Sequence, residues 1–153
     1  NNPEHYLRRD FYGNHASGGT PFLDSRNKPQ AEGQNLIVYG HNMLDGSMFK
    51  PVLQYLTPNF QVTHEDIYLE LNGTQYHYQV IAALETNTRS PVYTYTDLSV
   101  TAEMEDFHSM LLEETGLDAI PQAKGYLTLS TCNDQGGNSR VLVIAALIEE
   151  VQR

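Results

Sequence analysis

Apolar residues recur along this chain in two patterns that are typical of β-strands, and turn-forming residues separate them. One pattern is a continuous apolar run, as in residues 141–148, which indicates a strand buried on both faces. The other is an alternation of apolar and polar side chains, as in residues 67–71, which lead into the hairpin signal Asn72-Gly73. The predicted strands lie at residues 21–24, 34–41, 67–71, 76–84, 126–132 and 140–151.

Helical spacing of apolar residues replaces the strand patterns in two places. One helix is predicted over residues 48–56. A second is predicted from Thr101, a candidate N-cap, to Gly116, which fits the C-terminal end. Residues 85–100, rich in Thr, Ser and Tyr, are interpreted as a long surface connection. Because the helices are insertions between mostly antiparallel strands, the predicted fold class is mainly β with helical insertions, a barrel or a sandwich.

Length and charge narrow the function classes. The 153 residues are enough for one domain with a hydrophobic core, so residues 1–153 are treated as a single domain. Nine Lys and Arg against 19 Asp and Glu give a net charge of −10, which argues against binding nucleic acid or anionic lipid. Residues 1–4 look like the inside of a longer protein, so we expect a targeting segment to be missing.

Cys132 is the only cysteine, and it lies at the end of a predicted strand. Side chains alternate between the faces of a strand, so Cys132 shares the more polar face with Thr128 and Ser130. A seven-residue loop separates it from Arg140, which begins the next strand, so the two residues are expected to meet at one rim of a hairpin. A nearby cation favours the nucleophilic thiolate, and a guanidinium can stabilise an oxyanion. An inert buried thiol beside a surface arginine is the alternative.

A cysteine nucleophile also needs an acid–base partner, usually histidine, and the chain has six. His41 is the strongest candidate because it stands at the end of an apolar strand, a typical position for a site residue. His77 alternates with tyrosines and is interpreted as facing solvent, and His108 is interpreted as solvated on the acidic second helix. The remaining histidines lie near a turn or in the polar N-terminal region: His5, His15 and His64.

The sequence predicts no metal or cofactor. It has neither the HxxxH and HExxH spacings of metal-binding helices nor the glycine-rich motifs that bind nucleotide phosphates. Acidic residues at 103–106 and 113–114 could attract Ca²⁺, but a solvated helix face explains them better.

Two segments resemble the signatures of the sortases, which are cell-surface cysteine transpeptidases of Gram-positive bacteria. Thr128-Leu-Ser-Thr-Cys132 followed by Arg140 is similar to the family's TLxTC…R signature, and Tyr39-Gly-His41-Asn-Met43 looks like its histidine segment. Further segments look like class B sortases: Phe22-Leu-Asp24 with Arg26-Asn27, Gly46-Ser-Met-Phe49 with Leu53 and Tyr55-Leu56, and the helix at about residues 101–115.

The resemblance implies a fold and a reaction. The fold is a sortase-type closed β-barrel, N-terminally truncated, because residues 1–9 align just after the family's N-terminal helix and first strand. Cys132 would attack the Thr carbonyl of a sorting motif, NPxTx-like for class B, and form a thioacyl-enzyme. His41 would protonate the leaving amine and activate the incoming one, while Arg140 would orient the carbonyl and stabilise the oxyanion. No cofactor is needed by this mechanism.

The resemblance also implies binding residues, partners and a location. Residues that line the substrate groove would be Ser130, Tyr39, Leu7, Thr88 and Tyr93. The partners would be surface proteins with a sorting motif and an amine of a peptidoglycan precursor or a pilin. The expected location is the extracellular face of the cell membrane, with an N-terminal anchor that is not in this chain. Two alternatives stay open, which are a sortase of another class acting as a pilin polymerase or hydrolase, and a non-catalytic extracellular β-domain.

Overall fold

A curled six-stranded sheet dominates the computed structural model, which describes residues 21–40, 50–132 and 137–151. The strands are β1 (Phe22–Leu23), β2 (Asn35–Gly40), β3 (Asp66–Leu71), β4 (Thr74–Asn87), β5 (Tyr126–Cys132) and β6 (Ser139–Glu150). The helices within these ranges are α1 (Pro58–Thr63), α2 (Thr101–Thr115) and two 3₁₀ helices, Lys50–Leu56 and Pro91–Thr94. The prediction of a mainly β fold with helical insertions is confirmed.

The strand order β1-β2-β5-β6-β4-β3 places β5 and β6 at the centre of the sheet. β2 and β5 run parallel, and the other neighbouring pairs of described strands are antiparallel. The chain between β2 and β5 contains β3, β4 and α2, as expected because parallel neighbours cannot be joined by a short turn. The sheet forms a half-barrel whose outer strands, within the described ranges, are β1 and β3.

Hydrophobic clusters cover both faces of the sheet. On one face, Ile144 of β6 belongs to a buried cluster with Phe107 of α2. On the other face, Val143 of the same strand belongs to a cluster with Val52 of the 3₁₀ helix at 50–56. Neighbouring residues of β6 are therefore buried on opposite faces, which explains the unbroken apolar run in its sequence.

The Asn72-Gly73 hairpin is confirmed between β3 and β4. Asn72 has φ of 51° and Gly73 has φ of 82°, and a two-residue turn of this kind needs positive φ at both positions. The strand that follows is longer than predicted, since β4 continues beyond Leu84 to Asn87.

The predicted helix over residues 48–56 is a 3₁₀ helix at Lys50–Leu56, and a separate helix, α1, begins at Pro58. Residues 48 and 49 lie outside the described ranges. A proline disfavours the helical conformation of the residue before it, and Thr57 is accordingly extended, with φ of −89° and ψ of 120°. The chain therefore forms two short helices where the apolar spacing indicated one.

The prediction for α2 is confirmed at its C-terminal end and wrong at its N-cap. Gly116 adopts the left-handed conformation, with φ of 71°, and donates its N–H to the carbonyl of Leu112. Thr101 is the first helical residue, and the N-cap is Val100, which makes no side-chain capping bond. Threonine is common at N-caps, but here it is the residue after the N-cap, so the residue type alone did not fix the first residue of the helix.

The interpretation of residues 85–100 as a surface connection is wrong for part of that segment. Its first residues complete β4, and Pro91–Thr94 forms a 3₁₀ helix. Val92 is fully buried and Leu98 is almost so, and both belong to the cluster beneath α2. These two apolar residues are too far apart to show a strand or helix period, so only the packing revealed them.

Candidate active site

The ends of β2, β5, β6 and β4 meet at one rim of the sheet. The β5–β6 register pairs Cys132 with Arg140, so the hairpin contact predicted from the sequence is confirmed for the backbone. On the other side of β5, the parallel register pairs Tyr39 of β2 with Ser130. On the far side of β6, Arg140 pairs with Thr86 of β4. Four neighbouring strands thus bring these residues to one edge of the sheet.

A cavity of about 300 Å³ opens at this rim, and Tyr39, Thr88, Tyr93 and Arg140 line it. Arg140 donates two hydrogen bonds from Nη1, to the carbonyl oxygens of Gly137 at 2.9 Å and Ser139 at 2.8 Å. Those carbonyls hold one end of the guanidinium against the loop that precedes β6. A guanidinium stays protonated at any physiological pH, so the cavity has a permanent positive charge in its wall.

Aromatic rings form a second wall of the cavity. Tyr39 stacks on Tyr93 with ring centroids 6.2 Å apart and an interplanar angle of 10°. The hydroxyl of Tyr93 lies 2.7 Å from Oγ of Ser130, which is only 2% exposed. Ser130 is therefore joined by a hydrogen bond to a cavity-lining side chain.

The hydroxyl of Tyr39 donates a 2.7 Å hydrogen bond to Oδ2 of Asp24. Burial raises the pKa of Tyr39, and the hydrogen bond to the Asp24 carboxylate adds to that rise, so the phenol stays neutral at physiological pH. For Asp24, burial alone would raise the pKa, but hydrogen bonds from Arg26 and Tyr39 outweigh it and hold the pKa below its usual value. The sequence interpretation did not assign Asp24 or Arg26 to a site, although it noted their segment as class B-like.

The structure thus brings together most of the residues singled out from the sequence. Tyr39, Thr88, Tyr93 and Arg140 share the cavity, and Ser130 is bonded to Tyr93. Three predicted positions lie outside the described part of the chain: Leu7, His41 and the side chain of Cys132. The chemical roles of all these residues stay predictions.

Two histidines differ from their sequence interpretation. His108 is not solvated, because it is half-buried and its Nε2 lies 2.8 Å from the hydroxyl of Tyr126. His77 does not simply face solvent, since it is paired with Asp66 at 2.6 Å and stacked on Tyr68. Each contact joins residues of two different elements, so alternation along a single segment could not predict it.

Within residues 21–40, 50–132 and 137–151, no group of three or more His, Cys, Asp or Glu side chains is arranged to hold a metal ion. No helix in these ranges is both long and apolar enough to cross a membrane.

Comparison with known families gives one match that covers most of the chain. The model of the Sortase domain matches residues 10–148. Sortase B of Listeria monocytogenes is 32% identical over 135 residues, which are 86% of this chain and 54% of that protein. Sortase B of Staphylococcus aureus is 30% identical over 153 aligned residues, 94% of this chain and 61% of that protein. The chain therefore spans just over half the length of these curated relatives.

Solved structures show the same similarity. A Staphylococcus aureus sortase B–substrate complex superposes with a TM-score of 0.81 at 28% identity, covering 96% of this chain and 70% of that one. Sortase B from Listeria monocytogenes superposes with a TM-score of 0.79 at 30% identity, and the match covers 96% of this chain and 82% of that one. A Bacillus anthracis protein described as similar to sortase B superposes with a TM-score of 0.81 at 28% identity, and the match covers 99% of this chain and 69% of that one.

Proposed function

The chain belongs to the sortase family, with class B sortases among its relatives, and on this premise we propose that it is a cysteine transpeptidase. Its substrate is a surface protein with an NPxTx-like sorting motif, which it cleaves after Thr and transfers to an amine of peptidoglycan. The observation that carries the proposal is the register that pairs Cys132 with Arg140 beside a cavity lined by Tyr39, Thr88 and Tyr93. The reaction takes place at the extracellular face of the cell membrane.

In the first step, the Cys132 thiolate attacks the carbonyl carbon of the motif's Thr. A C–S bond forms, the scissile C–N bond breaks, and His41 gives its proton to the leaving amine. The product is a thioacyl-enzyme. His41 is assigned from the family resemblance, and the strand order supports it, since β2 ends at Gly40 beside Thr131, and residues 41 and 132 follow these two in the sequence.

In the second step, an amine of the acceptor attacks the thioester. His41 takes the proton from the incoming amine, a new amide C–N bond forms, and the C–S bond breaks to restore the thiolate. Water in place of the amine would give hydrolysis, so the acceptor must compete with solvent for the same thioester.

Arg140 stabilises the negative charge that develops on the carbonyl oxygen in both steps. Preorganised donors of this kind lower the barrier because they need no rearrangement when the charge appears. The carbonyls of Gly137 and Ser139 hold Nη1 of Arg140, which preorganises the guanidinium at the cavity wall.

The aromatic wall binds the peptide that carries the motif. The rings of Tyr39 and Tyr93 supply apolar surface, and the Tyr93–Ser130 hydrogen bond holds the second ring over the end of β5. A cavity of about 300 Å³ is large enough for one or two side chains of an extended peptide, and the rest of the peptide lies along the rim.

The proposal is tested by incubating the protein with NPQTN-type and LPxTG-type peptides, with and without an amine acceptor. Products are identified by mass spectrometry, and Cys132→Ala is the control, with its fold checked by circular dichroism. We expect cleavage at the Thr bond of the NPQTN peptide, an acyl adduct on Cys132, and an amide product only when the amine is present.

Other outcomes separate the alternatives. Cleavage of the LPxTG peptide instead would support a sortase of another class. No cleavage of either peptide, together with a Cys132 that resists alkylation under native conditions, would refute the enzyme and favour a non-catalytic β-domain.

A further inference from the structure

The carboxylate of Asp24 is the centre of a hydrogen-bond cluster just outside the cavity that Arg140 lines. Oδ1 accepts the backbone N–H and Nε of Arg26, each at 2.9 Å. Oδ2 accepts Nη2 of Arg26 at 2.9 Å and the hydroxyl of Tyr39 at 2.7 Å. The bonds from Nε and Nη2 are the bidentate arrangement that fixes both groups in one plane.

Because Asp24 is buried, its carboxylate requires hydrogen-bond donors. Asp24 is only 8% exposed, and a buried carboxylate is tolerated only when it is paired and hydrogen-bonded. Its side chain is therefore confined to the position in which Arg26 and Tyr39 satisfy it. The same bonds confine the Tyr39 hydroxyl, because a displacement of that hydroxyl would leave Oδ2 of the buried carboxylate with Arg26 as its one remaining donor in this cluster.

The cluster is also tied firmly to the strand that carries Tyr39. The backbone N–H of Asp24 donates to the carbonyl of Ile37 at 2.8 Å. Asn27 accepts the backbone N–H of Ile37 at 2.9 Å and donates to the carbonyl of Asn35, also at 2.9 Å. The turn that follows β1 is thus fastened to β2 on both sides of the Asp24–Arg26 pair.

Tyr39 separates two cavities at the rim. Its ring lines the cavity of about 300 Å³ that contains Arg140, and it lines a neighbouring cavity of about 250 Å³ with Phe22, Asp24 and Ser25. It stacks on Phe22 on one side, with centroids 5.3 Å apart, and on Tyr93 on the other, at 6.2 Å. The position of this ring therefore sets the width of the cavity proposed for the peptide.

We propose that Asp24 and Arg26 are positioning residues that hold the Tyr39 ring as the wall of the peptide-binding cavity. They act through the hydroxyl of Tyr39 and do not touch the peptide. This inference rests on the proposed function, and it assigns a role to the Phe22–Asn27 segment that the cysteine chemistry leaves unexplained.

The test is a double-mutant cycle between Asp24→Asn and Tyr39→Phe, measured as kcat and KM for the peptide that the wild-type protein cleaves. We expect Asp24→Asn to raise KM about tenfold with kcat within about twofold, because a charge-assisted hydrogen bond that orders the ring is lost. In the Tyr39→Phe background the same substitution should change KM less than about twofold, since the hydroxyl through which it acts is absent.

Two further variants keep the test decisive. Arg26→Gln replaces the charged, bidentate guanidinium of a half-exposed side chain with a neutral amide, so it tests the cluster even if Asp24→Asn fails to fold. Asp66→Asn is the matched control, because it removes a carboxylate that is hydrogen-bonded to His77 and lines neither cavity. We expect Arg26→Gln to raise KM and Asp66→Asn to leave both constants unchanged.

A second measurement does not depend on turnover. The Cys132→Ala protein and the Cys132→Ala/Asp24→Asn double variant are each titrated against the cleaved peptide carrying a fluorescein label. Binding is followed by fluorescence anisotropy. Asp24→Asn should weaken binding by about the same factor as the rise in KM.

The outcomes distinguish the two proposals. If the wild-type protein cleaves a peptide but Asp24→Asn and Arg26→Gln leave KM unchanged, the positioning role is refuted and the proposed function stands. Equal effects of Asp24→Asn with and without the Tyr39 hydroxyl would also refute it, because the residue would then act through the general fold. If the wild-type protein neither cleaves nor binds either peptide, the proposed function fails and the positioning role fails with it.

Discussion

Arg140 is a residue whose surroundings suit the oxyanion role proposed for its guanidinium. Nη1 is occupied by the carbonyls of Gly137 and Ser139, while the side chain as a whole still lines the cavity. A guanidinium has five N–H donors in a rigid plane, so it can bond the loop and a substrate oxygen at the same time. A lysine has one compact ammonium group, so it could not bond the loop carbonyls and a substrate oxygen at the same time.

Exchange of Arg140 for lysine should therefore impair the proposed transpeptidase activity while leaving the fold intact. Loss of one preorganised oxyanion donor typically costs about 100-fold to 1,000-fold in rate, and we expect a fall of at least about 100-fold in kcat/KM for Arg140→Lys. Steady-state cleavage of the NPQTN peptide measures this. Arg89→Lys is the control, because Arg89 is exposed and does not line the Arg140 cavity, and near-wild-type turnover of Arg140→Lys would remove Arg140 from the oxyanion role.

At the scale of the elements, the parallel pairing of β2 and β5 depends on a close backbone approach just before both strands. The N–H of Gly33 donates to the carbonyl of Lys124 at 2.8 Å, and the N–H of Tyr126 donates to the carbonyl of Gln34 at 2.9 Å. Between these two bonds, a Cβ on Gly125 would overlap the carbonyl oxygen of Ala31. A glycine is required here because the backbones leave no room for a side chain.

Gly125→Ala should destabilise the protein by about 3 kcal/mol, since backbone must move to admit the methyl group. Gly73→Ala is the control for the substitution itself. Gly73 has φ of 82° but no atom within 4 Å of an added Cβ, so it should lose only about 1 kcal/mol from backbone strain. Urea unfolding followed by circular dichroism measures both, and equal losses would contradict the close-approach argument.

At the scale of the whole molecule, a part-buried polar contact joins α2 to the sheet beside the apolar cluster that lies under this helix. Tyr126 of β5 is fully buried and its hydroxyl donates to the carbonyl of Pro121, so it accepts a hydrogen bond from Nε2 of His108 on α2. Burial raises the pKa of Tyr126 to about 12 and lowers the pKa of His108. The contact is therefore made by a neutral histidine and a neutral phenol at physiological pH.

The stability of the fold should consequently depend on pH through His108. A histidine whose pKa is lower in the folded state binds more protons when unfolded, so its contribution is complete well above pH 6.5 and is lost as the pH falls towards the folded pKa. We expect the Tm to be lower at pH 5 than at pH 7.5, and the difference to shrink in His108→Gln, which keeps a donor for Tyr126 but does not titrate. His64→Gln, at an exposed histidine, should retain the full difference, and an unchanged difference in His108→Gln would refute this role.

Local patterns predicted the elements well wherever a single period or turn residue decided them. The strand at Tyr126–Cys132 has its predicted limits, Asn72-Gly73 turns as predicted, and Gly116 ends α2. Each depends on interactions between residues a few positions apart. The predictions failed where packing against distant elements overrode local preference, as at Val92 and Leu98. They also failed at Pro58, where the effect of the proline on the preceding residue was not considered and the predicted helix is divided in two.

By itself the sequence determined that the chain is mainly β with helical insertions, that Cys132 and Arg140 share a hairpin, and, through its motifs, the family. These depend on alternation, turn chemistry and signature residues, all of which are local along the chain. Only the tertiary structure decided that Tyr39, Thr88, Tyr93 and Arg140 line one cavity, and that Asp24 and Arg26 fix the Tyr39 hydroxyl. Those contacts join residues on different strands and loops, and their geometry is set by strand order and register, which no local period encodes.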